Sequence, residues 1–360
     1  MTRGENNIYI IAEAGVNHNG SLTIAKQLID VAVEAGADAV KFQTFKAEKV
    51  MSRYAPKAEY QTQTTDRQES QLEMVKKLQF GVAEHQELVN YCNEKKIQFL
   101  STPFDLESVG LLAEVLDVPA LKIPSGEITN APLILKVASH KKPIILSTGM
   151  STLGEIEVAL GVIAFGYLRT DERPSLELFR ECFATDEGQA LLKKNVTLLH
   201  CTTEYPSPYP SVNLKAMHTL REAFGLPVGL SDHTVGVHIP VAAVAMGAIM
   251  IEKHFTMDKT LPGPDHRASL EPCELADMVR MIRDTEAAMG SGLKLPAYAE
   301  KKNMIIARKS LVADKAIKQG EVFTETNLTV KRPGNGISPL SFWDYLGQRA
   351  AKDYNEDELI

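Results

Sequence analysis

Two short stretches late in the chain, Gly229-Leu230-Ser231-Asp232-His233-Thr234 and Ile251-Glu252-Lys253-His254-Phe255, each put a histidine at the end of an apolar run. The residue two before it is also polar, Ser231 in one and Glu252 in the other. Residues i and i+2 of a strand share a face, so in two strands Ser231 would point with His233, and Glu252 with His254. Neighbouring strands lie about 5 Å apart. Two neutral imidazoles at that spacing could hold one divalent metal with coordination positions left open, which predicts metal-assisted catalysis. Thiolates are scarce nearby, so the remaining ligands would be oxygens, a set that suits manganese, with magnesium or cobalt as alternatives.

Other residue types point to an anion beside the metal. Lys41 and Lys122 sit inside or at the end of apolar runs, where an unpaired ammonium is costly and an anionic ligand would compensate it. Ser125, Ser147 and Ser231 could add hydroxyl or backbone donors. Glu13 and Glu252 are candidates for proton transfer or for charge stabilisation at a reacting carbon. A buried Glu13–Lys41 ion pair is the structural alternative. His18 and His200 fit loop or core roles as well as chemical ones.

These residues need a frame, and the chain supplies a repeating one. β-rich runs recur at 9–12, 39–42, 98–101, 120–123, 144–147, 196–200, 228–230 and 249–252. Helical periodicity lies between them: Leu22, Ala25, Leu28, Ile29, Ala32 and Val33, with Ser21 as N-cap and Gly36 as stop, and Leu106, Val109, Leu112, Ala113 and Leu116. Eight strand–helix alternations predict a TIM-type (β/α)8 barrel rather than an open sheet, and no GxGxxG follows the first strand. An internal echo agrees: 35–41 and 246–252 both run helix end, glycine, apolar strand, charged residue. Polar residues gather at nearly every strand end, where such barrels carry their chemistry.

The pattern fades after a helix at 274–289, which divides the chain into a barrel at 1–289, a linker at 290–306 and a small β-containing domain at 307–360. Short runs at 310–312 and 328–331 are its expected strands. A charged insertion at 169–194 reads as a solvated helical excursion. The chain has 360 residues, 44% hydrophobic and 24% charged, with a net charge of −7 that argues against nucleic acid as partner. Cys92, Cys182, Cys201 and Cys273 show no CxxC pairing, so no disulfide framework or zinc ribbon is expected. No signal peptide and no bilayer-spanning apolar run is read, which makes the cytoplasm the expected location and membrane binding unexpected.

Taken together the chain resembles the bacterial N-acetylneuraminate (sialic acid) synthase family over nearly its whole length. The resemblance runs through Ile10-Ile11-Ala12-Glu13-Ala14-Gly15-Val16-Asn17-His18-Asn19-Gly20, Val40-Lys41-Phe42-Gln43-Thr44 and Ser101-Thr102-Pro103-Phe104. It continues in Lys122-Ile123-Pro124-Ser125-Gly126-Glu127, Leu146-Ser147-Thr148-Gly149-Met150, the two histidine motifs, Gly263-Pro264-Asp265-His266 and Lys331-Arg332-Pro333-Gly334-Asn335-Gly336. It implies a barrel followed by an antifreeze-like (SAF) domain, and a domain-swapped homodimer in which that domain covers the partner's active site. It also implies condensation of phosphoenolpyruvate with N-acetylmannosamine and water, giving N-acetylneuraminate and phosphate. Carried over by motif, His233 and His254 are the expected metal ligands, and Lys41, Thr102, Lys122, Ser125, Ser147 and Ser231 the phosphoenolpyruvate cradle. Gln43, Glu127, Tyr205 and Asp265 become sugar contacts, and Arg332 the residue reaching across from the second subunit. Thr203 stands where some members have asparagine, at a position that the resemblance makes a phosphate contact. The nearest alternative is the same reaction on a 2,4-diacetamido hexose, as in legionaminic acid synthesis. More distant ones are a Schiff-base aldolase using Lys41 or Lys122, and a binding protein whose small domain is the functional part.

Overall fold

A computed structural model of the chain describes residues 8–57, 69–169 and 171–360. The chain forms two compact units, Met1–Gly290 and Ser291–Ile360.

The first unit contains eight strands: β1 Tyr9–Gly15, β2 Ala39–Thr44, β3 Gln98–Pro103, β4 Leu121–Ile123, β5 Ile144–Ser147, β6 Val196–Cys201, β7 Val228–Asp232 and β8 Met250–His254. Ladders are parallel throughout, in the order β3-β2-β1-β8-β7-β6-β5-β4. The two end strands, β3 and β4, also lie side by side, so the sheet curls into a nearly closed TIM-type barrel with helices around it.

Local sequence explains how each unit starts and stops. Helix α1, Leu22–Glu34, begins where Ser21 accepts from Ile24 N, and buries Ala25, Leu28, Ile29, Val31 and Ala32. Gly36 follows its end at φ +79°, and Gly247 takes the same left-handed turn at φ +88° before β8. That is the physical content of the internal echo: a glycine turn after each helix delivers Lys41 and Glu252 to equivalent strand positions. The periodic run from Leu106 is only partly α-helical, over Leu106–Gly110, and continues as a π turn over Leu111–Val115.

The insertion at 169–194 departs from the expected solvated excursion. It forms helices Leu176–Ala184 and Asp186–Asn195, and buries Phe179 and Cys182. Phe179 meets Phe165 edge-on at 5.3 Å between ring centroids. Its apolar residues fall at helical spacing inside a charged sequence, so one face is dry.

Strand periodicity builds the interior in layers. Ile11, Ala39, Leu100, Ala120, Ile145, Leu199 and Met250 form an apolar cluster of their own, apart from the larger core. Gly229 of β7 belongs beside them: a Cβ there would lie 2.4 Å from Met250 O and 2.8 Å from Leu199 Cδ2. Two residues further along each strand come Glu13, Lys41, Thr102, Lys122, Ser147, Cys201, Ser231 and Glu252, all lining one cavity. The apolar layer is therefore the floor of a polar one.

The second unit pairs β9 Ser310–Ala313 with β10 Leu328–Lys331 in antiparallel fashion, Leu328 opposite Ala313 and Lys331 opposite Ser310. Its core is Leu311, Ala313, Ile317, Phe323, Leu328, Ala350 and Tyr354. Among the described residues no helix is long and apolar enough to cross a membrane.

Candidate active site

The polar layer is a network of alternating charge. Lys41 Nζ lies 2.5 Å from Glu13 Oε2 and 3.5 Å from Glu252 Oε2, and donates to Thr102 Oγ1 at 3.0 Å. Lys122 Nζ lies 3.4 Å from Glu252 Oε1, which also accepts from Ser231 Oγ at 2.7 Å. Strand register makes these meetings unavoidable: Glu13 is level with Lys41 on β2 and with His254 on β8, and Ser231 is level with Glu252. The cavity they enclose is about 180 Å³.

The same burial acts differently on each group. Burial, opposed by Lys41, pushes the Glu13 carboxyl up to about 7. Burial also works against the charge on Glu252, but Lys122, Lys41 and the Ser231 hydroxyl outweigh it and hold that carboxyl well below the usual range. Glu252 is thus a fixed anion, while Glu13 can gain or lose a proton near neutrality. Burial opposes the charge on Lys41, yet Glu13 and Glu252 prevail and raise its pKa. Lys122 has the opposite outcome, burial lowering its pKa despite Glu252. The Cys201 thiol, 3.0 Å from Ser125 Oγ, is pushed up by burial.

One strand step above sits the histidine pair, with ring centroids 5.6 Å apart. His233 Nδ1 donates to the Thr202 carbonyl at 2.7 Å, which leaves the Nε2 lone pair free. Burial lowers the pKa of His233, and burial together with His233 and Lys41 lowers that of His254, so both rings are neutral. His254 Nδ1 is buried without a hydrogen-bond partner among the described residues, with Asp265 Oδ2 4.0 Å away. Two neutral imidazoles, one with an orphaned nitrogen, fit a divalent metal held by His233 and His254 with its other positions open. No cluster of three or more His, Cys, Asp or Glu suited to a metal occurs among the described residues.

Behind the pair, the residues that alternate with the inward ones point out of the barrel. Lys253 Nζ lies 2.5 Å from both Asp232 Oδ2 and Thr234 O, and Asp232 accepts from Thr234 N and Oγ1. This buried knot brackets His233 on both sides.

The cavity gathers most of the residues expected from the sequence: Glu13, Lys41, Gln43, Thr102, Lys122, Ser125, Ser147, Tyr205, Ser231, His233, Glu252 and His254. Asp265 lines an adjoining chamber, and burial pushes its carboxyl up to about 6. Glu127 is not in either wall. The chain leaves β4 through a tight 3-10 turn, Ser125–Glu127, which keeps Ser125 inward and turns Glu127 to accept from Asn130 Nδ2 at 2.6 Å. Arg332 lies in the second unit, exposed, with its Nε donating to Ala307 O at 3.1 Å. His200 is a structural group, its Nε2 bonded to Val212 O, and His18 stacks on Phe80. Cys201 lines the cavity without having been expected there, and Thr203 lines it at the position that the resemblance makes a phosphate contact. For Cys201 the signal was present: it stands two residues after inward-facing Leu199, as Thr203 stands four. Thr203 Oγ1 and Ser147 Oγ are buried with no hydrogen-bond partner among the described residues, as befits groups that await a ligand.

Comparison with known proteins agrees with this fold. The NeuB family matches residues 28–294 and the SAF domain residues 308–360. The N,N'-diacetyllegionaminic acid synthase of Campylobacter jejuni is 54% identical over 351 residues, 98% of each chain. The protein of the same name from Legionella pneumophila is 45% identical over 341 residues, covering 95% of this chain and 90% of that one. The crystal structure of the N-acetylneuraminic acid (sialic acid) synthetase from Leptospira borgpetersenii, in complex with citrate, superposes with a TM-score of 0.68 at 33% identity, over 84% of this chain and 94% of the other. The chain therefore belongs to the NeuB family of sugar-acid synthases, with a SAF domain at its C-terminus.

Proposed function

We propose that the protein condenses phosphoenolpyruvate with a 2,4-diacetamido hexose and water, releasing phosphate and an N,N'-diacetyllegionaminate-type acid. The reaction type rests on one observation: two buried lysines, two buried glutamates and a neutral histidine pair share a single cavity. N-acetylmannosamine, the first acceptor suggested by the family resemblance, gives way to the diacetamido sugar because the 54% and 45% identical relatives carry that name.

In this reading Lys41, Lys122, Thr102, Ser125, Ser147 and Ser231 hold the phosphate and carboxylate and aim C3 of the enol at the aldehyde carbon. Holding both partners in line supplies much of the acceleration. A new C–C bond forms as C2 becomes electron-poor. Water adds at C2, and the C2–O bond breaks to release phosphate. Glu252, permanently ionised, keeps both lysines in place and stabilises positive charge. Glu13, titrating near neutrality, moves the proton of the adding water. A divalent metal at His233 and His254, manganese being the first choice, would supply Lewis acidity to the aldehyde oxygen. Arg332 would complete the site from a second subunit of a domain-swapped homodimer.

The test is to supply phosphoenolpyruvate and manganese with either N-acetylmannosamine or a 2,4-diacetamido hexose, and to measure phosphate and keto-sugar acid. The expected result is a higher kcat/KM for the diacetamido sugar. Turnover of N-acetylmannosamine alone would refute the acceptor, and no phosphate release with either sugar would refute the reaction.

A further inference from the structure

The barrel mouth carries a second chamber of about 250 Å³. It is continuous with the inner cavity, the two sharing Gln43, Phe104, Thr203, Tyr205 and His254. Its remaining wall has a different character, being built largely from Met51, Met74 and Val75 together with nearby Phe45 and Leu78.

This wall is a built element rather than the fringe of the barrel core. Phe45, Met74, Val75 and Leu78 form a separate hydrophobic cluster, with Met51 packed against it. Short helix Gln71–Lys76 presents Met74 and Val75, and a reciprocal capping box of Ser70 and Glu73 fixes its start. All five apolar residues come from the single connection that follows β2.

A hexose offers mostly hydroxyls, which lose hydrogen bonds against such a wall. An acylamino substituent is different, since its methyl suits the apolar side while its amide can meet Gln43 or Tyr205 at the shared rim. Resting on the reaction proposed above, we infer that this chamber is the subsite for the acceptor's second acylamino group. Met74 and Val75 are then specificity-determining residues: they favour a diacetamido hexose over one with a single acetamido group. A methyl-sized group in a fitted apolar pocket commonly sets a preference of roughly 10- to 200-fold.

The experiment compares kcat/KM for a 2,4-diacetamido hexose and for N-acetylmannosamine in the wild-type full chain and in Met74→Gln, Val75→Thr and Met74→Leu. The two polar replacements are near-isosteric, and melting temperature and the KM for phosphoenolpyruvate report on the fold and the inner cavity. The expected outcome is a loss of about tenfold or more in the diacetamido-to-monoacetamido ratio for both polar variants. Met74→Leu should keep the wild-type ratio, and the KM for phosphoenolpyruvate should stay constant. A wild type that prefers the diacetamido sugar, with an unchanged ratio or a parallel loss on both sugars in the variants, overturns the subsite alone. A wild type that prefers N-acetylmannosamine overturns the acceptor reading and the subsite together.

Discussion

Replacing Glu252 by glutamine tests the charge network at its centre. The carboxylate faces two ammonium groups, Lys122 at 3.4 Å and Lys41 at 3.5 Å. Glutamine preserves the shape and still accepts from Ser231, but leaves two buried lysines sharing one carboxyl. That carboxyl, Glu13, is itself already pushed up to about 7 by burial. Removing one partner of a buried ion pair costs about 3–5 kcal/mol. Lys122 can relieve part of this by shedding its proton, since burial already lowers its pKa. The lower end, about 3 kcal/mol, is therefore expected near neutral pH. A lysine whose folded pKa is depressed opposes folding wherever the unfolded chain still holds the proton. Stability then recovers as pH rises from the folded value toward the ordinary one, so the deficit should shrink in alkali and persist in acid. Phosphoenolpyruvate would restore the missing negative charge, so it should stabilise the variant more than the wild type. A tenfold tighter complex adds about 1.4 kcal/mol at saturating ligand. Urea unfolding followed by far-UV circular dichroism, with and without phosphoenolpyruvate, measures both effects. The chain's single tryptophan, Trp343, lies in the C-terminal unit, so its fluorescence follows that unit separately. An apo variant as stable as wild type, or equal stabilisation of both by phosphoenolpyruvate, would refute the reasoning.

Three further outcomes are expected. Protonating Glu13 removes a negative charge from the anion site, so phosphoenolpyruvate should bind more tightly as pH falls through about 7. Glu13→Gln should lose that component in calorimetric titrations from pH 6 to 8, and an unchanged profile would contradict the assignment. His233→Ala should abolish stoichiometric manganese binding in calorimetry, and EDTA should stop turnover of the wild type until manganese is returned. Full metal binding by the variant would remove His233 from the ligand set. Arg332→Ala should lower kcat/KM at least tenfold while leaving the melting of the barrel unchanged, and full activity would exclude a shared site.

Much of this site was legible because strands count in twos. The pairs Ser231/His233 and Glu252/His254 share a face for the same reason that Lys41 lies above Ala39. Extending the rule along every strand also reaches Thr203 and Cys201, the latter missed only when a residue's type is read before its position. Glu127 marks where the rule stops: past Ile123 the backbone turns, and periodicity no longer says which side chains look inward. The outer chamber was not legible at all. Phe45, Met51 and Met74 are ordinary apolar residues in sequence, and only tertiary packing brings them to the barrel mouth. The insertion hid its dry face in the same way, because Phe179 and Cys182 sit within a run of charge.

The knot of Asp232, Thr234 and Lys253 behind the histidines bears on when the site becomes ordered. Its bonds lock the backbone on both sides of His233, while Thr202 fixes the ring from the other direction. The entropy of immobilising that imidazole is therefore lost during folding, together with the rest of the barrel, rather than at each encounter with a ligand. Whatever binds between the two rings meets a pair whose separation is already set. Its affinity then reflects the quality of the fit, with little drawn off to arrange the protein.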